Sequence, residues 1–268
     1  MAPASWLKRV DGAPEDVAGV LALREQGHCV FHGEGCAIHG ALGHAAMPAA
    51  CQHFPRVVLI DPRGVFVTLS HYCPTAAAML LDDDSPVSIV EGPAALPDGA
   101  MPEGLDAREA WPPLRSPRLL MTLEDYSAWE RDTVHALAHS DAPDKVIDEL
   151  LGRRFAMSDL ALFEIARATV PTPYSERLAP ALSERPYSAR VEGRVEGRFL
   201  AAHAFACWMA YEANGLLSIA IYLRLALAVL RTELGRQQSV VEAIRQSDLL
   251  LRHLIDRDAL AARIRGLL

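Results

Sequence analysis

Thiol and imidazole side chains are concentrated in one short window of this sequence. Four of the five cysteines (Cys29, Cys36, Cys51 and Cys73) and six of the ten histidines (His28, His32, His39, His44, His53 and His71) fall between residues 28 and 73, about a sixth of the 268-residue chain. Four thiolates can close a tetrahedral zinc site or hold an iron–sulfur cluster, because both want soft sulfur donors. Successive cysteines are separated by six, fourteen and twenty-one residues. These gaps match neither the two-residue gap of a zinc ribbon nor a ferredoxin run, so unconnected buried thiols stand beside metal ligation as a reading of the spacing. Imidazole also ligates zinc and iron, and His39 and His71 each lie within three residues of a cysteine. For His71 the better role is to orient a ligand through a hydrogen bond.

Other constellations read more plainly. His203 and Cys207 are four apart on one helix face, a metal-capable geometry, but Phe199, Ala202, Ala206 and Ala210 around them indicate core. Trp208 and Tyr211 read as packing. Asp82-Asp83-Asp84 reads as a solvated acidic turn. Arg190, Arg194 and Arg198, interleaved with Glu192 and Glu196, read as an exposed charged face with local ion pairs. There is no Gly-x-Gly-x-x-Gly, phosphate-loop, Gly-x-Ser-x-Gly or Cys-x-x-x-Cys-x-x-Cys signature.

The elements that must position the cysteines come next. Val57–Ile60 and Val65–Leu69 are apolar, β-branched runs joined by Asp61-Pro62-Arg63-Gly64, the signature of a tight hairpin. Val17–Leu23 could pair with them. Pro74 after Cys73 suits the first helical position of a short helix over Thr75–Leu81, so the hairpin would deliver Cys73 to a strand end before a helix start. Residues 82–118 hold six prolines in their later part, and Ser88–Val90 could form one more strand. From Thr122 onward the pattern is helical. Thr122 with Asp125 caps a helix to about Ala138, Asp141 and Pro143 start one that Gly152 ends, and Ser158 caps a third. A long apolar helix from about Gly197 should end at Asn214-Gly215, with further helices over Leu216–Leu234, from Ser239, and after Asp258. The expected fold class is therefore α+β: a small cysteine-rich module with a short β-hairpin (1–90), a Pro-rich connector (91–118) and a mainly α-helical bundle domain (119–268).

Composition sets further bounds. With 26 Lys+Arg against 34 Asp+Glu the net charge is −8, which argues against phosphate-driven binding to nucleic acid. Glu212 and Arg224 interrupt the most apolar stretch, Phe199–Leu230, leaving pieces too short to span a bilayer. Met1–Val10 lacks the apolar run of a secretory signal. A soluble cytoplasmic protein is expected, with reduced thiols or metal ligands rather than disulfides.

The residues around the cysteines add a resemblance. The window reads Gly27-His28-Cys29-Val30-Phe31, Gly35-Cys36-Ala37-Ile38-His39, Pro48-Ala49-Ala50-Cys51-Gln52-His53-Phe54-Pro55 and Leu69-Ser70-His71-Tyr72-Cys73-Pro74. This succession resembles the bacterial zinc- or iron-chelating cysteine-cluster family, often called YkgJ-like. Within that family it looks closest to the branch of the flagellin lysine N-methylases (FliB-like proteins), whose C-terminal region Phe199–His203, Trp208 and Tyr211 also resemble. By position, the resemblance implies Cys29, Cys36, Cys51 and Cys73 as metal ligands. It implies an iron–sulfur cluster, with zinc as the alternative. It further implies protein-lysine N-methylation of a flagellin-like substrate, with S-adenosylmethionine as cofactor if that activity is present. The non-catalytic alternatives are a structural metal module with a partner-binding helical domain, or a metal-free member. The family carries a Cys-x-x-Cys-Cys block upstream of its first matched cysteine, whereas no cysteine precedes Cys29 here. The resemblance thus implies either an upstream extension or a reduced site.

Overall fold

A computed structural model describes residues 7–8, 20–22, 29–33, 35–82, 87–92, 104–116, 118–171, 193–212 and 214–267. The chain divides into two compact units, Met1–His53 and Phe54–Leu268. The smaller holds a two-stranded pair, β1 (Leu7–Lys8) against β2 (Val20–Leu21), and two short helices, α1 (Ala37–Leu42) and α2 (Ala49–His53), around a 3-10 turn at His44–Ala46. Val20–Leu21 thus pairs with Leu7–Lys8. The rest of the stretch expected to join the hairpin, residues 17–19 and 23, lies outside the described residues.

The larger unit opens with the expected hairpin, β3 (Arg56–Asp61) and β4 (Gly64–Leu69), in antiparallel register from Arg56↔Leu69 to Asp61↔Gly64. Its third strand is β5 (Gly104–Asp106), parallel to β3 through Val58↔Gly104 and Ile60↔Asp106. Only a glycine serves at position 104, because a Cβ there would meet Val58 O at 1.7 Å. Ser88–Val90, expected as a strand, is irregular; short prolines-bounded strands form later, at β5 and in the pair β6 (Leu114–Ser116) and β7 (Leu119–Leu120). A strand needs a partner for its backbone groups, and β3 finds one in β5 instead.

The hairpin belongs with the helices through a buried polar clamp. The Arg63 guanidinium donates to both carboxylate oxygens of Asp61 (2.7 to 3.2 Å) and to Glu130 Oε2 (3.0 Å). It lies over the rings of Phe66 (4.4 Å) and Tyr126 (4.2 Å). Tyr211 Oη donates to Asp61 Oδ2 at 2.5 Å, so this side chain does more than pack.

Helix α3 (Pro74–Met79) follows Cys73, as expected. The caps of the helical region also sit where the sequence puts them. Thr122 Oγ1 accepts from Asp125 N at the start of α4 (Leu123–Ala138), Gly152 ends α5 (Pro143–Leu151) in the left-handed region at φ 65°, and Ser158 caps α6 (Asp159–Arg167). The long apolar helix expected from Gly197 is instead α7 (Gly193–Ala204) and α8 (Met209–Glu212). Between them Ala206 takes φ 52°, and its N–H donates to Glu130 Oε1 at 3.0 Å. That carboxylate, not a local glycine or proline, breaks the helix.

Helix α9 (Leu216–Arg236) runs past Gly235 and is the axis of the unit, with Ile219–Leu223 and Leu225–Leu230 essentially inaccessible. A helix apolar on all sides must be wrapped by others, and α5, α6, α7, α10 and α11 pack on it. Its charged residues pair outward: Arg224 with Asp159 (2.7 Å), and Arg231 with Asp144 (2.6 Å) and Glu196 (2.7 Å). Glu196 and Arg198 are therefore buried rather than on an exposed face, and Arg198 donates to Asp82 O at 2.8 Å. Arg194 is half exposed, and Arg190 lies outside the described residues. The chain ends with α10 (Val240–Asp248), capped by Ser239, a π-helical segment over Leu249–Leu254, and α11 (Arg257–Arg265), capped by Asp256. No helix among the described residues is long and apolar enough to cross a membrane.

Candidate functional site

The smaller unit carries Cys29, Cys36 and Cys51 on three successive turns. Its first turn is a knuckle: His32 N donates to Cys29 O (2.9 Å), His32 pairs with Cys36 across an antiparallel bridge, and Ala37 N donates to Phe31 O (2.8 Å). Gly33 and Gly35 make the tight return, closed by Gly33 N to Gly35 O at 2.8 Å. The six-residue gap between Cys29 and Cys36 is thus a closed loop that brings the two backbones together. Cys36 then begins α1 as its N-terminal cap. A proline-started turn sets Cys51 in α2, and Gln52 Nε2 fastens that helix to the preceding 3-10 turn through Met47 O (2.7 Å).

The Cys51 thiol feels the other two. Burial raises the Cys51 pKa, and negative charge at Cys29 and Cys36 raises it further. All five cysteines are free thiols; Cys36 and Cys51 are exposed and Cys29 is half-buried. Beside Cys36 an open depression of about 410 Å³ is lined by Val30, Phe31, His32 and Gly40. Thiolates are donors of the kind a soft cation takes. Among the described residues, however, no three His, Cys, Asp or Glu side chains are drawn together as a ligand set. His39, exposed on α1, lies edge-on to His44 at 6.2 Å.

Cys73 stands in the larger unit, half-buried, where it caps α3 with an extended backbone. The three residues before it converge on one buried carboxylate, Asp248. Ser70 Oγ donates to Asp248 Oδ2 at 2.8 Å, Tyr72 N donates to the same oxygen at 3.2 Å, and His71 Nδ1 lies 3.7 Å from Oδ1. On the far side Arg252 Nε donates to Oδ1 at 3.0 Å, and His203 Nε2 stands 3.2 Å away, out of hydrogen-bond alignment. Burial alone would raise the Asp248 pKa; the Arg252 charge, aided by the His203 and His71 imidazoles that face it, overrides it and holds the group well below the usual carboxylate range. Burial, reinforced by Arg252, pushes His203 down to about 4, so it is neutral at pH 7 and its Nδ1 can accept from Tyr222 Oη at 3.0 Å.

A serine, a histidine and an aspartate in contact invite comparison with a nucleophile triad. The geometry is different. His253 Nε2 lies 2.7 Å from Ser70 Oγ, but Asp248 holds the hydroxyl rather than the imidazole. Ser70 is also fully buried. A triad requires the carboxylate to orient the histidine and the hydroxyl to be reachable, so this arrangement ties elements together instead.

The π-helical segment explains how Asp248 and His253 both reach Ser70. Arg252 and His253 are four and five residues beyond Asp248; in an α-helix the fifth has turned well away, whereas the wider π turn keeps both over the aspartate's side. Sequence reasoning missed this cluster. One signal was available: Asp248 follows Ile244 by four, so it occupies the buried stripe of an amphipathic helix where an apolar residue belongs. His203 and Cys207 are buried as expected, and burial lifts the Cys207 thiol to about 12. Comparison of the chain with protein-family models, curated proteins and solved structures found no match.

Proposed function

We propose that this chain is a cysteine-cluster metal protein, in which Cys29, Cys36 and Cys51 are ligands of an iron–sulfur cluster or, alternatively, of zinc. The observation that carries this reading is the knuckle that folds the backbones around Cys29 and Cys36 together, with Cys51 near enough to feel charge on both. Scattered core thiols would be buried and inert, as Cys207 is, whereas Cys36 and Cys51 are accessible. Cys73 enters the ligand set through the sequence resemblance. Free thiols persist in a reducing compartment, which supports work in the cytoplasm.

The test is anaerobic purification followed by iron, sulfide and zinc analysis and a visible spectrum, on the intact chain and on Cys51→Ala. Broad visible absorption with stoichiometric iron and sulfide, lost in the variant, supports the cluster; colourless stoichiometric zinc, lost in the variant, supports the alternative. Neither metal in the intact chain refutes the reading. N-methylation of lysines on a flagellin-like protein is the further step that the resemblance implies. Transfer of a labelled methyl group from S-adenosylmethionine to such a protein tests it, and a metal-replete chain without transfer would leave a structural metal module with a partner-binding helical unit.

A further inference from the structure

Helix α4 ends on two histidines that share one face and one turn. His135 and His139 are four residues apart and both exposed, and their rings stack with centroids 4.3 Å apart and planes 29° from parallel. A single carbonyl anchors the second of them. His139 N donates to His135 O at 3.2 Å, and the His139 ring Nδ1 lies 2.9 Å from the same oxygen. A carbonyl oxygen only accepts, so Nδ1 carries the proton, and in the neutral ring Nε2 holds the lone pair. Histidines that ligate metals are oriented in this way, one ring nitrogen donating to a carbonyl while the other binds the ion. Two histidines at i and i+4 also have the spacing at which a helix face chelates a transition metal.

The surroundings suit a cation and a fixed geometry. The pair sits at the C-terminal end of a 16-residue helix, where the unpaired carbonyls favour positive charge. The turn before it carries Arg131 and Asp132, both exposed and of opposite sign. Leu137 and Ala138, between the two histidines, are buried. Helix α7 begins against the turn that follows, where a Cβ at Gly193 or Gly197 would collide with the carbonyl oxygens of Asp141 and Leu137. The backbone is thus held from its inner side while the imidazoles face out, so chelation has little left to order. We propose that His135 and His139 form a two-imidazole chelate for a divalent first-row transition ion, with water completing its coordination. Imidazole selects nickel, copper and zinc over magnesium and calcium, and copper(II) binds most tightly in the usual order of affinities. This site uses no cysteine and does not depend on the cysteine reading above.

Hydrogen–deuterium exchange of the intact chain, read by mass spectrometry with and without nickel(II), tests it; nickel avoids the oxidation of thiols by copper(II). Chelation across i and i+4 closes the last turn of α4, so the His139 and Ser140 amides should exchange more slowly. With nickel at about 100 times its dissociation constant the slowing reaches roughly 100-fold. His135→Asn and His139→Asn, exposed changes whose folding circular dichroism confirms, should each abolish it. Magnesium should have no effect. Metal held by the cysteines would slow peptides within residues 29–53 and persist in both variants, so the two sites are read separately. No slowing over residues 131–142 in the intact chain overturns the proposal. Slowing that either variant retains overturns it too, since a lone imidazole would then account for the binding.

Discussion

Replacing Arg63 by alanine should be among the most damaging single changes outside the cysteine region. Its side chain is 7% exposed, and its partners Asp61 and Glu130 are 0% and 3% exposed. After the change Asp61 keeps the Tyr211 hydroxyl and Glu130 keeps the Ala206 N–H, but neither carboxylate has a counter-charge. Breaking one buried ion pair costs about 3–5 kcal/mol, a large share of a typical domain's stability of about 5–15 kcal/mol. The pH dependence follows from Glu130, whose pKa is raised, chiefly by burial and against the opposing pull of Arg63. Without Arg63 it rises further. A carboxyl with a raised folded pKa favours the folded state when protonated, so the penalty is full above the raised value and shrinks as pH falls toward the unfolded value of 4.5. Urea unfolding followed by circular dichroism, at neutral pH and at about pH 5, measures both effects. The triple change Arg63→Met, Glu130→Gln, Asp61→Asn removes the charges together and should recover more than half of the loss. A loss under about 1 kcal/mol, the size of a surface pair, would refute the account, and so would a triple variant no more stable than Arg63→Ala.

The other predictions concern burial. Gly197 lies where α7 crosses α4, and a Cβ there would meet Leu137 O at 2.3 Å; Gly197→Ala should lower stability by about 1–3 kcal/mol in the same urea assay, and an unchanged midpoint would mean that the crossing is not tight. His203, held at about 4 against an ordinary 6.5, contributes stability that is complete above 6.5 and lost as pH falls toward 4, at most about 3 kcal/mol. His203→Gln should flatten that acid limb, and an equal slope in both proteins would show that the histidine is not its source. Iodoacetamide labelling read by mass spectrometry should modify Cys36 and Cys51 readily and Cys207 only after unfolding, since its thiol is buried and raised to about 12; early labelling of Cys207 would contradict its burial.

How much of this was legible in the sequence depends on whether the cause is local. The Asp61–Gly64 turn, the Thr122, Ser158 and Ser239 caps and the Gly152 stop are each decided within four residues, and they stand where the pattern puts them. The break after α7 was not legible, because Glu130, far upstream, supplies its cause. Likewise Arg198 and Glu196 belong to series at the i,i+4 spacing of a solvated helical face, yet distant partners at Asp82 and Arg231 draw them inside. The parallel pairing of Gly104–Asp106 with β3 could not be anticipated from three residues without a strand pattern of their own.

The candidate site divides along the same line. The enrichment of Cys and His between residues 28 and 73 is local and visible, and so are the Gly33 and Gly35 that close the loop between Cys29 and Cys36. The clamp on the Ser70–Tyr72 loop is not, since Ser70 and Asp248 are 178 residues apart. Yet the sequence contains its trace in the mismatch between residue and position. A carboxylate on the buried stripe of α10 is a local rule broken, and such a break persists only where the rest of the fold compensates it. Here the compensation is Arg252 from one side and three consecutive residues of the Cys73 loop from the other. A charged residue out of pattern on an otherwise apolar stripe thus marks where the helix is tied to a distant loop, even when nothing in the loop's own sequence points back.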